Sequence, residues 1–311
     1  MMGFYFCTIT TNSHLFKVNA LFESLSQINP NCTLFVLNID ASKATEFKNK
    51  DRLIWIDLDE IKSDLSGGLV EKYKHDKNKI RWSLKPVFLK YLLEADLAEK
   101  LIYVDNDIAF FGDYSFLFEA LTEFNVLLTP HNYPRFTDTK QNWLEANFRV
   151  GLYNAGFIGV NKKALDLLDW WANCCLYRCE KNSWRGLFDD QKYLDLVPII
   201  EPMTLVLQHK GCNLAEWNRD VCIRSYDNES QRVLINNKWP VVFIHFNITT
   251  LKCFHNNEDI LLKPFYDTYK NWLLKFKPSF DMNSEIAGTN FWPTLKFWIW
   301  NFLNTLNTKL Q

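Results

Sequence analysis

The sequence predicts an α/β protein built on a mostly parallel, doubly wound sheet, and three observations predict it. Short β-rich apolar runs alternate with segments of helical period through the first hundred residues. The fourth such run leads straight into a polar, acidic segment, as a strand does where it leaves a sheet to meet a ligand. The chain has 311 residues, 48% of them apolar and 23% charged, which is enough to bury a large core in one compact unit of one or two lobes.

Gly3–Thr10 is the first strand, short and rich in β-formers. Phe16–Ile28 repeats apolar residues at Phe16, Ala20, Leu21, Leu25 and Ile28, a helical period. Cys32–Ile39 is a strand, Ala41–Asn49 a helix and Arg52–Asp57 a third strand. Trp82–Ala95 is a helix that carries Pro86 near its start, where a missing N–H is tolerated. Lys100–Val104 is the fourth strand and runs into Asp105-Asn106-Asp107. A strand near Asn125–Leu128 and an irregular stretch from Thr129 to Arg149 follow. Asn154–Val160 is a strand, and Lys162–Cys179 and Phe188–Leu196 are helices. Short strands fall around Leu205–Gln208, Val221–Ser225 and Val241–Phe246, and Ile260–Phe276 is helical. The polar stretch Lys277–Asn290 separates a main domain, 1–276, from a tail, 277–311.

Thirty-five basic residues nearly cancel 36 acidic ones, with no basic stripe, which argues against a nucleic-acid partner. Aromatic residues make up 16% of the chain, a surplus that suits a core, sugar rings or a membrane interface. The eight cysteines contain no CxxC pair. Cys175 and Cys179 share a helix face, but buried thiols in a reducing cytosol account for the set more simply than a metal site. The N-terminus has no basic leader, and no apolar run reaches the ~18 residues of a membrane span. In the tail, positions 291, 295, 298, 299, 302, 303 and 306 follow a helical period. An amphipathic, Trp- and Phe-rich helix is expected there, either against a membrane interface or over the domain or a second subunit. The expected location is cytoplasmic, peripheral at the inner face of a membrane.

Asp105 and Asp107, at i and i+2 after an apolar strand, can turn two carboxylates toward one hard cation such as Mg²⁺ or Mn²⁺; otherwise they form a solvated turn. His245 closes the Val241–Phe246 strand and offers a third ligand or is an ordinary strand-end histidine. Asp189-Asp190-Gln191 opens a short helix, where a carboxylate and an amide either cap the helix or bind sugar hydroxyls. Asn154-Ala155-Gly156 has small residues that permit a ligand close to the backbone, or a tight bend. Thr8, Thr10, Thr11 and Asn12 can line a nucleotide pocket or cap the following helix.

In order, these motifs resemble the GT-A glycosyltransferases related to glycosyltransferase family 8, the group of glycogenin and the bacterial lipopolysaccharide galactosyl- and glucosyltransferases. The matching run is Phe6–Thr11, Lys85-Pro86, Tyr103–Asp107, Tyr153–Val160, Asp190-Gln191 and Ile244–Phe246. A bacterial set known only as glycosyltransferases is more similar still, sharing Trp170-Trp171, Phe188–Gln191, Leu196–Pro198 and Gly211–Asn218. The resemblance covers roughly residues 3–250. It implies that Asp105, Asp107 and His245 hold Mn²⁺ or Mg²⁺, and that Thr8, Thr11, Asn12, Lys85 and Asn106 face a nucleotide-sugar donor, UDP-linked. It implies Asn154, Ala155, Gly156, Asp190 and Gln191 around the donor sugar, the last two as the catalytic pair, and Asn213, Trp217 and Asn218 near sugar and acceptor. The acceptor implied is a glycan or lipid-linked glycan, and the stereochemistry is retaining. The chain departs from family 8 after His245-Phe246, where Asn247-Ile248-Thr249-Thr250 replaces the usual Gly and Lys-Pro-Trp. A non-catalytic nucleotide-sugar binder would not need Asp105, Asp107 and Asp190. A nucleotidyltransferase, or a hydrolase on the same fold, is the other alternative; the former calls for a Gly-rich loop where Thr10–His14 stands.

Overall fold

In the computed structural model the described residues are 3–40 and 51–287. The helix expected at Ala41–Asn49 and the aromatic segment 290–311 lie outside them. The chain opens with β1 (Phe4–Thr10), α1 (Leu15–Ile28), β2 (Cys32–Asn38) and β3 (Leu53–Asp57). All seven residues of β2 are buried, because Leu34 and Val36 pack to one face of the sheet while Phe35 and Leu37 pack to the other. A strand covered on both faces has no polar side to show, hence its continuous apolar run. Next come α2 (Asp64–Tyr73), α3 (Lys77–Ser83) and α4 (Lys85–Glu94). The single helix expected over Trp82–Ala95 is therefore broken at Leu84. Pro86 stands in the first turn of α4 and Asp76 caps α3, its carboxylate accepting from Asn78 N and Lys79 N.

β4 (Lys100–Val104) and β5 (Ile108–Phe110) flank the acidic segment, followed by α5 (Ser115–Glu123), β6 (Val126–Pro130) and α6 (Gln141–Arg149). The last of these lies in the stretch expected to be irregular, and only Ala146 of it is buried. β7 (Tyr153–Asn161) and α7 (Leu165–Tyr177) match expectation closely. The expected helix Phe188–Leu196 begins instead as a hairpin, β8 (Glu180–Asn182) with β9 (Leu187–Asp189), and continues as a 3₁₀ turn over Gln191–Leu196. Then follow α8 (Val197–Ile200), β10 (Thr204–Val206), β11 (Arg224–Asp227), β12 (Arg232–Ile235), β13 (Trp239–Pro240), β14 (Phe243–His245), α9 (Ile248–His255), α10 (Lys263–Phe276) and α11 (Met282–Ala287).

The main sheet runs β10-β6-β7-β4-β1-β2-β3. Its neighbours are parallel except around β7, which is antiparallel to both β4 and β6. Residues 277–287, expected to be a polar linker, pack on the domain: Phe280 and Met282 are buried among α1, α9 and α10 residues, and Glu285 pairs with Lys17 at 2.6 Å. No described helix is long and apolar enough to cross a membrane. All eight cysteines are free, seven of them buried, which fits buried thiols.

Candidate active site

Two strand pairings assemble the site. β4 pairs with β7 in a register that sets Val104 beside Phe157, and Asp105 N donates to Gly156 O at 2.8 Å. That hydrogen bond places Asp105 against Asn154-Ala155-Gly156. β5 pairs with β14 so that His245 faces Ile108, and Phe246 N donates to Asp107 O at 2.7 Å. Asp107 and His245 thereby become neighbours although far apart in sequence.

Ligand atoms of Asp105, Asp107 and His245 lie within 4.8 Å of one another, the one such group among the described residues. His245 Nε2 is 3.2 Å from Asp107 Oδ1, and Asn154 Nδ2 is 3.2 Å from His245 Nδ1, so the ring is held at both nitrogens. Tyr103 Oη donates to Asp105 Oδ1 at 2.8 Å. Burial disfavours charge on both Asp107 and His245, but each more than offsets it for the other. The carboxyl is held well below its usual range and the imidazole above its own. The space beside them is kept open by a glycine. A Cβ on Gly156 would stand 2.7 Å from Asn154 Oδ1, 2.7 Å from His245 Cε1 and 3.0 Å from Asp105 Oδ2. Two carboxylates and an imidazole around so small a space fit a divalent cation.

Lys85, at the start of α4, is buried beside this cluster. Its Nζ donates to Ala155 O at 3.0 Å and lies 3.4 Å from Asp105 Oδ1 and 3.2 Å from Asp190 Oδ2. The contact with Asp190 is an ion pair rather than an aligned hydrogen bond, since Asp190 Oδ2 has no hydrogen-bond partner. Burial pushes the Asp190 carboxyl up to about 6, against the pull of Lys85. Burial also opposes charge on Lys85, but Asp105 and Asp190 raise it overall. Asp190 is aimed inward by its neighbour: Asp189 takes a left-handed backbone, φ 49°, which bends β9 into the 3₁₀ turn. Trp171 Nε1 then donates to Asp190 O at 2.9 Å, giving the Trp170-Trp171 motif a structural role.

The cluster separates two cavities. One, of about 220 Å³, is lined by Ile9, Arg81, Trp82, Asn106 and the two aspartates. The other, of about 320 Å³, contains Lys85, Asp190, Gln191, Asn154–Gly156, Trp217 and His245. Both share Trp82 and Asp105. Asn106 ties the ends of β1 and β4 together, donating to Ile9 O and Thr10 Oγ1 at 3.3 Å. Gln191 is committed to the backbone: Oε1 accepts from Ala155 N at 3.1 Å and Nε2 donates to Val150 O at 3.2 Å.

Other sequence-predicted residues sit behind these walls. Thr8 is fully buried with an unpartnered hydroxyl. Thr11 Oγ1 is 2.9 Å from both Ser13 Oγ and His14 Nδ1, and Asn12 is tied to Asn38 and Asp40. Asn213 is buried in a left-handed backbone, and Asn218 Nδ2 donates to Asn213 O at 2.8 Å. None of these five lines either cavity. Sequence reading missed Arg81, Trp82, His131, Tyr133, Trp143 and Glu216, which do. Arg81 and Trp82 carried a signal, lying just ahead of Lys85-Pro86, and Glu216 lies within the Gly211–Asn218 motif; His131, Tyr133 and Trp143 come from a segment with no local motif.

No family model matches the chain. The uncharacterized Bacillus subtilis protein YfnF is 27% identical over 249 residues, 78% of this chain and 80% of its own length. Among solved structures, galactosyltransferase LgtC, in complex with donor and acceptor sugar analogs, aligns over 87% of this chain and 96% of its own. The TM-score is 0.52 at 13% identity. Mouse xyloside xylosyltransferase 1 aligns over 80% of this chain and 99% of its own, with TM-score 0.50 and 16% identity. The fold is that of the GT-A glycosyltransferases.

Proposed function

We propose that this chain is a metal-dependent glycosyltransferase that moves a sugar from a nucleoside-diphosphate donor, UDP-linked, to a glycan or glycolipid hydroxyl with retention of configuration. The observation that carries the reading is the meeting of the Asp105–Asp107–His245 cluster and the Lys85-bound Asp190 at one point between two cavities. Asp105, Asp107 and His245 would hold Mn²⁺ or Mg²⁺, which would take negative charge off the diphosphate and make it a better leaving group. The nucleoside lies toward Ile9, Arg81 and Asn106, and the donor sugar rests on Asn154, Ala155 and Gly156. Lys85 sets one ammonium between Asp105 and Asp190, 3.4 Å and 3.2 Å away. Asp190 stabilises the positive charge that develops on the sugar ring. Bound to Lys85, it is an electrostatic partner rather than a free base, which suits attack from the leaving-group side. Gln191 positions the Ala155 amide, while Asn213 and Asn218 hold the loop that carries Trp217. The Trp- and Phe-rich composition of 290–311 suits contact with the cytoplasmic face of a membrane that bears the acceptor.

Calorimetric titration with UDP, with and without Mn²⁺, tests the reading, followed by a hydrolysis screen of UDP- and GDP-sugars. UDP should bind tightly only with Mn²⁺, and Asp105→Ala or Asp107→Ala should abolish both binding and hydrolysis in a folded protein. Equal UDP affinity with and without the metal would sink the metal-dependent reading.

A further inference from the structure

The larger cavity continues past the metal cluster along a wall of aromatic rings. The His131 and Tyr133 rings stack at 4.6 Å and 11°, and Tyr133 and Trp143 at 5.4 Å and 19°. Trp217 stands edge-on to His131, at 5.8 Å, and to His245, at 5.5 Å. The wall is fixed in place. Trp217 Nε1 donates to His131 O at 3.0 Å, Asn218 Nδ2 donates to the same oxygen at 3.3 Å, and His131 Nδ1 is 3.0 Å from Gly151 O. Glu216, half-buried, completes this side of the cavity, with Oε2 accepting from Thr250 Oγ1 at 3.0 Å.

Resting on the function proposed above, we propose that this wall is the acceptor subsite, and that it takes a pyranose bearing no anionic group. The apolar C–H face of a pyranose packs on rigid aromatic surface that has little freedom to lose. Trp217 beside His245 brings such a ring next to the metal cluster, with a hydroxyl in reach of the donor sugar. Charge supplies the selectivity. The cavity carries Asp105, Asp189, Asp190 and Glu216 against Lys85, Lys181 and His245, the last already paired with Asp107. Both lysines are already engaged, Lys85 with Asp105 and Asp190, and Lys181 with Asp189 at 3.4 Å. A second anion beside the Glu216 carboxylate would meet an unfavourable field. A sugar hydroxyl, by contrast, donates to that carboxylate.

The test uses the full chain with Mn²⁺ and UDP, and saturation-transfer NMR with methyl β-glucoside, β-galactoside, β-N-acetylglucosaminide and β-glucuronide. At least one neutral glycoside should bind, and about tenfold more weakly to Trp143→Ala. The glucuronide should bind at least about tenfold more weakly than the glucoside, and Glu216→Gln should bring the two within about twofold. Equal or tighter glucuronide binding overturns the proposal, as does a preference unchanged by Glu216→Gln. UDP binding is measured on the same samples. UDP bound with no glycoside bound overturns the acceptor subsite alone, whereas no UDP binding overturns the glycosyltransferase reading beneath it and the subsite with it.

Discussion

Replacing Gly156 by Ala asks whether the open space beside the cluster belongs to the metal. Gly156 does not use the left-handed backbone that favours glycine, so alanine meets no backbone strain there. What it meets is three atoms at 2.7 to 3.0 Å, on Asn154, His245 and Asp105. None gives way freely: Asn154 Oδ1 accepts from Gly156 N at 2.6 Å, and His245 is held at both ring nitrogens. Forcing a methyl into a packed site costs ~1–3 kcal/mol. Alanine recovers about 0.5–1 kcal/mol of backbone entropy. The protein should therefore remain folded, with a melting temperature lowered by a few degrees. Displacing the ligands should weaken Mn²⁺-dependent UDP binding by ~10–100-fold, as loss of ligand support does. Gly159→Ala is the control, on the same strand, where a Cβ would crowd Leu127 at 3.1 Å in the core. It should lower stability comparably and leave UDP affinity unchanged. Calorimetry and thermal melts of both variants decide the matter. The reasoning fails if Gly156→Ala binds UDP like the parent, or if Gly159→Ala weakens binding equally.

Lys85→Ala leaves the buried Asp190 and the half-buried Asp105 without their shared cation and should destabilise the metal-free protein by about 3–5 kcal/mol at pH 7, less at pH 5 as Asp190 takes up a proton. A loss under ~1 kcal/mol in urea melts would show that the pair is not holding the fold. Asp190, with its carboxyl at about 6 against an ordinary 3.8, binds its proton more tightly folded than unfolded. Its contribution to stability is thus present below about pH 4 and lost as pH rises through about 6. Metal-free Asp190→Asn should accordingly gain stability on the parent by on the order of 3 kcal/mol between pH 4 and 7, and parallel pH curves would refute this. A chain ending at Ala287, which keeps the buried Phe280 and Met282, should retain UDP binding but lose co-sedimentation with liposomes. Unchanged co-sedimentation would remove 290–311 from the membrane reading.

The elements legible in the sequence were those whose burial is uniform along their length. β2, β4 and β7 are mostly apolar and buried over all but their ends because both faces are covered, and α1 and α7 repeat buried residues at helical spacing. The carboxyl end of β4 was legible as a candidate ligand site because the apolar run stops abruptly at Asp105. α6 escaped because it buries a single residue and starts after Lys140 in a left-handed backbone, with no capping side chain. The hairpin of β8 and β9 escaped because its strands are three residues each and owe their form to pairing. At the site, residues named at strand ends do come together in the fold, yet Lys85 could not be seen as the counter-ion of Asp190. That relation exists only after α4 packs beside β7 and the 3₁₀ turn, and no spacing encodes it. Gln191 and Asn218 were assigned to ligand contact by motif, whereas the fold directs their amides to backbone groups.

The Asp105–Asp107–His245 cluster spans two different sheets. Asp105 is fixed by the main sheet, through β7, while His245 is fixed by β14, whose partner is the short β5. β5 and β14 share only three residue pairs, so this small sheet is the weaker support. A cation bound by residues from both acts as a staple, because separating β14 from β5 moves His245 away from Asp107. Ligand that binds only the closed arrangement stabilises it by about 2.7 kcal/mol at a hundredfold excess over Kd, equivalent to ~100-fold slower opening. Phe246 N, which donates to Asp107 O, and Phe111 N, which donates to Val242 O, cross between the two strand segments and report that opening directly. With Mn²⁺ and UDP, hydrogen exchange at these two amides should slow by up to ~100-fold, while amides between β2 and β3 at the far edge change little. Equal slowing across both regions would mean that the ligand stabilises the domain globally. No slowing at these amides would mean that His245 does not take part in binding the cation.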